Sequence, residues 1–126
     1  MAKGKLTQNG VHLQDHEYKT VKLFLEAGYD IDLIPKSQIK HYRTPDIMMN
    51  SVPWEIKAPE GDGKYTVQNT LQNAAGQSRN VIVDLRRCRM PEDRAINEFT
   101  KEFQKSKHIK RMKIVKKDGE VLDFGV

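Results

Sequence analysis

The chain has 126 residues, of which 37% are hydrophobic and 31% charged, and a formal net charge of +5. That length holds one domain, residues 1–126, with a single core, and is too short for two. One cysteine, Cys88, excludes a disulfide framework and a cysteine-built metal site, and no apolar run reaches membrane-spanning length.

Residues 1 to 10 are polar, with glycine at positions 4 and 10, and residues 1–13 read as a loose lead-in. Met1-Ala2-Lys3-Gly4-Lys5 lacks the apolar stretch of a signal peptide, so a reducing cytoplasm is the expected place of action. From about Gln14 to Ala27, Tyr18, Val21, Phe24 and Leu25 recur at helical spacing, and Gly28 follows as a stop. Tyr29 to Ile34 alternates as a strand does, and Pro35 ends it. A variable connection from Lys36 to Arg43 leads to a short strand bearing Asp46. A polar turn then precedes a second strand from Val52 to Ala58. Pro59-Glu60-Gly61-Asp62-Gly63 is a breaker-rich loop.

The next stretch, Tyr65 to Gly76, is an amide-rich helix with Val67, Leu71, Ala74 and Ala75 for packing. Asn80 to Leu85 is almost continuously apolar, as a central strand covered on both faces is. Pro91-Glu92-Asp93 opens a helix reaching about Lys107, with acids in its first turn. Arg111–Lys116 and Glu120–Phe124 flank Asp118-Gly119, a hairpin signal. The predicted architecture is an α/β sandwich: a mixed sheet flanked by helices, with a C-terminal helix and hairpin. Its acids are expected at a sheet edge.

The chemistry concentrates between Pro45 and Lys57. Asp46 is followed by eight residues and then by Glu55-Ile56-Lys57 inside an apolar run. On a strand, Glu55 and Lys57 share one face while Trp54, Ile56 and Ala58 take the other. Two adjacent strands joined by the polar turn therefore bring Asp46, Glu55 and Lys57 together. Two carboxylates and an ammonium form a site for a divalent cation and an activated water, the chemistry of phosphodiester cleavage. Glu17-Tyr18-Lys19 has the same spacing but lies in a helix, where residues two apart do not share a face. A pI near 9.3 agrees with a polyanionic partner. The cluster from Lys105 to Lys117 reads equally as a nucleic-acid footprint or a solvated edge. Gln68, Gln72 and Arg79, on and after the amide-rich helix, are candidate substrate-binding residues, since amides and arginine bond phosphates and splayed base edges. His12 and His16 stand four apart without a zinc-protease pattern.

Pro45-Asp46 and Glu55-Ile56-Lys57, in this order of elements, resemble the PD-(D/E)xK nuclease superfamily over roughly residues 14 to 86. Its fold is restriction-endonuclease-like. Trp54 to Lys57 together with Asn73-Ala74-Ala75-Gly76-Gln77-Ser78-Arg79-Asn80-Val81-Ile82-Val83-Asp84 is similar to the transfer-RNA-cleaving C-terminal toxin domains of contact-dependent growth inhibition systems. The resemblance implies that Asp46 and Glu55 ligate Mg²⁺ or Mn²⁺ and that Lys57 orients the attacking water. It gives Glu17 a secondary, water-holding role, and it implies a cognate immunity protein and a larger carrier. The competing expectations are a DNA endonuclease of the Holliday-junction-resolvase kind, and a catalytically silent nucleic-acid-binding module; fold does not choose among them.

Overall fold

The computed structural model describes residues 2–37, 39 and 43–125. Among these residues three helices and seven strands follow in the order β1 (Leu6–Thr7), α1 (Asp15–Glu26), β2 (Ile31–Leu33), β3 (Ile47–Met49), β4 (Val52–Lys57), α2 (Thr66–Ala75), β5 (Asn80–Asp84), α3 (Glu92–Lys105), β6 (Arg111–Val115) and β7 (Val121–Gly125). The strands lie in sequence order in one sheet. β1 runs parallel to β2, β2, β3 and β4 are antiparallel, β4, β5 and β6 are parallel, and β7 returns antiparallel to β6.

Side-chain alternation along the strands sorts the core into two layers. Val81 and Val83 of β5, with Met112 and Ile114 of β6, pack under Val67, Leu71 and Ala74 of α2 and Ala95 and Phe99 of α3. Ile82, Trp54, Ile56 and Val115 face the other way, against Val21 and Phe24 of α1. Trp54 is thus a core residue on the face opposite Glu55, with the Lys113 ammonium 5.4 Å from its ring centre.

β4 changes partner along its length. Val52, Pro53 and Trp54 pair with β3, whereas Glu55, Ile56 and Lys57 pair with β5. Pro53 fits at this place. Its carbonyl accepts from Asn80 Nδ2 at 2.9 Å, so its ring nitrogen, which has no hydrogen to donate, also points to the β5 side, before that ladder begins. On the β3 side the ladder stops after Ile47–Trp54, yet the Ile56 N–H still points there. The Asp46 carboxylate fills the gap, accepting that N–H at 2.8 Å.

Two expectations are corrected. The acids are not at a sheet edge: β4 is fourth of seven strands, and the opening they occupy is internal, made by β3 ending early. Nor are the described residues of the 1–13 stretch a loose lead-in. Leu6–Thr7 is a strand, Ile31 donates to the Lys5 carbonyl at 2.8 Å, and Gly4 donates to the Leu25 carbonyl at 2.8 Å. Gly4 runs so close to the Tyr29 carbonyl that no Cβ would fit there. Leu6, Val11 and Leu13 also pack against the core, but at spacings of five and two they give no period to read.

The β3–β4 turn fixes the register that sets Asp46 opposite Glu55. Its two central residues, Asn50 (φ 47°) and Ser51 (φ 68°), are both left-handed, as the hairpin turn that matches strand twist requires. Glycine is the usual second residue, and an L side chain there costs about 1 kcal/mol. Ser51→Gly is therefore expected to raise stability by about 0.5–1 kcal/mol, a melting temperature roughly 2–6 °C higher. A melting temperature at or below the parent's would show that the turn carries no such strain.

Candidate active site

The gap between β3 and β4 opens into a cavity of about 440 Å³ that reaches α1 on one face of the sheet and α2 on the other. His16 and Glu17 come from α1, Lys36 and Asp46 from the segment before β3, Glu55 and Lys57 from β4, and Asn69, Thr70, Asn73 and Gln77 from α2 and its C-terminal turn. Thus the four residues expected to carry catalysis, Asp46, Glu55, Lys57 and Glu17, line one cavity.

Asp46 and Glu55 are buried, 5% and 2% exposed, at the floor. Asp46 Oδ2 takes the Ile56 N–H, and Oδ1 takes the Lys36 ammonium at 2.8 Å. Burial works against the Lys36 charge, but the Asp46 carboxylate, with Glu55 and Glu17 behind it, more than offsets this and holds Lys36 above its usual pKa. Glu55 Oε2 lies 3.2 Å from Lys57 Nζ. Its other oxygen, Oε1, is buried and has no hydrogen-bond partner among the described residues. Burial, reinforced by the Asp46 charge, pushes Glu55 up to about 8, against the opposing pull of Lys57. A buried carboxylate with one unpartnered oxygen holds a proton or needs a cation.

Lys57 is oriented from α2. Gln77 Oε1 accepts from Lys57 Nζ at 3.0 Å and from Arg43 Nη2 at 3.1 Å. With Glu55 and Gln77 engaged, one of the three ammonium hydrogens remains for the cavity. Glu17 stands at the rim and caps its own helix: its Oε1 accepts the Gln14 N–H at 3.1 Å. α1 is in turn held by Thr20, whose hydroxyl donates to Asp84 Oδ2 at 2.6 Å. Burial would raise Asp84, but the Arg86 guanidinium and the Thr20 hydroxyl prevail and hold it below its usual value. This tie sets the rotation of α1, and with it the direction in which His16 and Glu17 face.

The candidate substrate-binding residues lie elsewhere. Gln68 and Gln72 line a groove between α2 and the end of α3, beside Glu102, Lys105 and His108, and not the acidic cavity. Arg79 is exposed after α2, and its carbonyl accepts the Lys110 N–H. The amides that face the acids are instead Asn69, Asn73 and Gln77, at a spacing of four. Lys36 and the orienting part of Gln77 carried no local signal. Cys88 is buried, its thiol 3.4 Å from the Gly61 carbonyl.

The donor set suits some metals and not others. Among the described residues no three His, Cys, Asp or Glu side chains gather as a metal-holding group. That disfavours a structural zinc site, whereas two hard carboxylates, one with a free buried oxygen, fit an ion that keeps several waters.

A family model described as "Contact-dependent growth inhibition CdiA C-terminal domain" matches residues 43–121. That span contains Asp46, Glu55, Lys57 and Gln77 but not Glu17 or Lys36. No curated protein matches the chain by sequence. Among solved structures, a chain of a CdiA-CT/CdiI toxin and immunity complex from Burkholderia pseudomallei is similar, with TM-score 0.70 and 14% identity, covering 98% of this chain and 100% of that one. At such identity the likeness is one of fold.

The Glu55 environment fixes a pH dependence. Its pKa rises from 4.5 unfolded to about 8 folded, so between those values the folded state keeps a proton that the unfolded chain releases. Stability therefore falls as pH rises through that window. Glu55→Gln is expected to melt with the parent near pH 4.5 and a few degrees above it at pH 8 and beyond. Added Mg²⁺ should close the gap by stabilising the parent alone. Melting curves that keep a constant separation across this range would contradict the assignment.

Proposed function

The chain belongs to the contact-dependent growth inhibition CdiA C-terminal domain family and is a growth-inhibition toxin domain; from that premise we propose that it acts as a Mg²⁺-dependent endoribonuclease of the PD-(D/E)xK kind, with transfer RNA as its substrate. The observation that carries the reading is the meeting of Asp46, Glu55 and Lys57 where β3 leaves β4, with Glu55 Oε1 buried and unpartnered.

Asp46 and Glu55 would hold Mg²⁺ or Mn²⁺, whose remaining ligands come from water and from the substrate phosphate. Such an ion, when bound, lowers the pKa of a water and offsets charge on the phosphoryl oxygens. Lys57, held by Gln77, presents its free N–H to the scissile phosphate and opposes the negative charge that develops there. Lys36 is 63% exposed at its side chain and can leave Asp46 for a phosphate when a cation neutralises the carboxylate. Asn69 and Asn73 supply amides to the sugar-phosphate backbone from the α2 wall. Glu17, already occupied in capping α1, is a water-holder of secondary importance.

The matched Burkholderia pseudomallei structure is a toxin with an immunity protein. By analogy, the proposal includes a cognate immunity protein that covers this cleft with acidic side chains, and delivery into a target cell whose cytoplasm holds the RNA. No helix among the described residues is long and apolar enough to cross a membrane.

The test is incubation with total bacterial RNA and with plasmid DNA, each with Mg²⁺ and with EDTA. Discrete Mg²⁺-dependent transfer-RNA fragments from an intact plasmid background are expected. Glu55→Gln, Asp46→Ala and Lys57→Ala should each lower cleavage by about 10²–10⁴-fold, and Glu17→Ala by less. Plasmid cutting would move the enzyme to DNA, and silence on both substrates would overturn the nuclease reading.

A further inference from the structure

Beside the acidic cavity lies a second, smaller one of about 130 Å³, lined by His16, Lys19, Ala58, Asp84, Arg86 and Arg87. The two share His16, Ala58 and Arg87, so they are contiguous. The chemistry of the smaller one is cationic: Lys19, Arg86 and Arg87 against a single acid, Asp84, which is itself buried and engaged.

The two guanidinium groups are anchored in place. Arg86 donates Nε and Nη2 to the Asp84 carboxylate at 2.8–3.2 Å, with the Arg86 backbone N–H on the same group at 3.0 Å. Three of its five N–H donors remain unspent in these bonds. Arg87 is fixed by Nε to the Ala58 carbonyl at 2.7 Å and by Nη1 to Glu60, a carboxylate 66% exposed and easily displaced. On α1, His16, Lys19 and Lys22 recur every three residues and so form one file, and Lys22 continues beside Arg86 into the adjoining groove. Anchored guanidiniums with spare donors, next to a cleft for a phosphodiester, suit a second phosphate of the same strand.

We propose that this annexe, built by Lys19, Arg86 and Arg87, binds the backbone phosphate flanking the scissile one on a single-stranded nucleic acid and sets the strand's direction through the acidic cavity. The reading rests on the nuclease proposal for its location but not for its test. The bond from Thr20 to Asp84 gains a meaning here, since it locks the α1 file to the Arg86 anchor across the annexe.

Binding is measured by fluorescence anisotropy with a short labelled single-stranded RNA, in EDTA, on the Glu55→Gln protein so that nothing is cut. Arg86 is left intact, because its removal would strand the buried Asp84. Lys19→Ala with Arg87→Ala is compared with Lys105→Ala with Lys107→Ala, an equal loss of charge in the α2–α3 groove and loop. The annexe pair is expected to weaken binding roughly tenfold or more and to flatten the slope of log affinity against log salt by about 0.7, the amount for one phosphate on a single strand. The control pair should do neither. Equal effects from both pairs, or none from the annexe pair, would overturn the proposal. If the protein with Glu55 intact cuts no RNA in Mg²⁺ while the annexe pair loses binding, the nuclease reading falls and the annexe stands; normal cutting by that protein with unaltered binding in the annexe pair would do the reverse.

Discussion

The structure depends on one change of partner within one strand. β4 spends its first half against β3 and its second half against β5, so at Ile56 the sheet has a backbone donor with no strand to receive it. A buried N–H left unpaired costs about 1–3 kcal/mol, and the Asp46 carboxylate removes that cost by standing in for the missing strand. The same act brings Asp46 down onto the face that Glu55 and Lys57 share. It also parts the sheet enough for α1 and α2 to reach one cavity from opposite sides. The fold and the site are consequences of the same backbone vacancy in the ladder.

Two buried carboxylates show how differently the chain treats such groups. Asp84 receives the Arg86 guanidinium, the Thr20 hydroxyl and a backbone N–H, and its pKa falls despite burial. It contributes stability that is present above the ordinary carboxylate range and lost as pH falls through its own lowered value. Glu55 has a lysine on one oxygen and, among the described residues, no hydrogen-bond donor on the other, and burial with the neighbouring Asp46 raises its pKa. It detracts from stability wherever it must ionise alone. A residue of this kind, destabilising by itself and poised beside an acid and a lysine, is what a functional site looks like in thermodynamic terms.

Much of this was readable from the residues. Side-chain parity put Glu55 and Lys57 on one face and Trp54 in the core, and helices, strands and the Asp118-Gly119 hairpin fell within a residue or two of their places. Where the reading failed, the cause was non-local. β1 is two residues long and held by backbone bonds to the Ile31 strand, and the apolar residues of its stretch that reach the core, Leu6, Val11 and Leu13, are too irregularly spaced to show a period. The sequence places the acids at a sheet edge because nothing in it says that β3 stops three residues short of the end of β4. Val67, Leu71, Ala74 and Ala75 are legible as the packing side of α2, but the sequence does not say which flank of that side meets the acids, and Gln68 and Gln72 lie on the flank away from them. Lys36 reaches Asp46 from a connection without periodicity, and only the fold brings them together.

The most direct measurement is calorimetric titration of the protein with Mg²⁺ or Mn²⁺ at pH 7, in buffers of differing ionisation enthalpy. A carboxylate whose pKa is raised to about 8 holds its proton at that pH and gives it up when a cation takes its place. Binding accompanied by release of about one proton, and abolition of that release in Glu55→Gln, is the result the account predicts. Binding without proton release, or release that persists in Glu55→Gln, would contradict it.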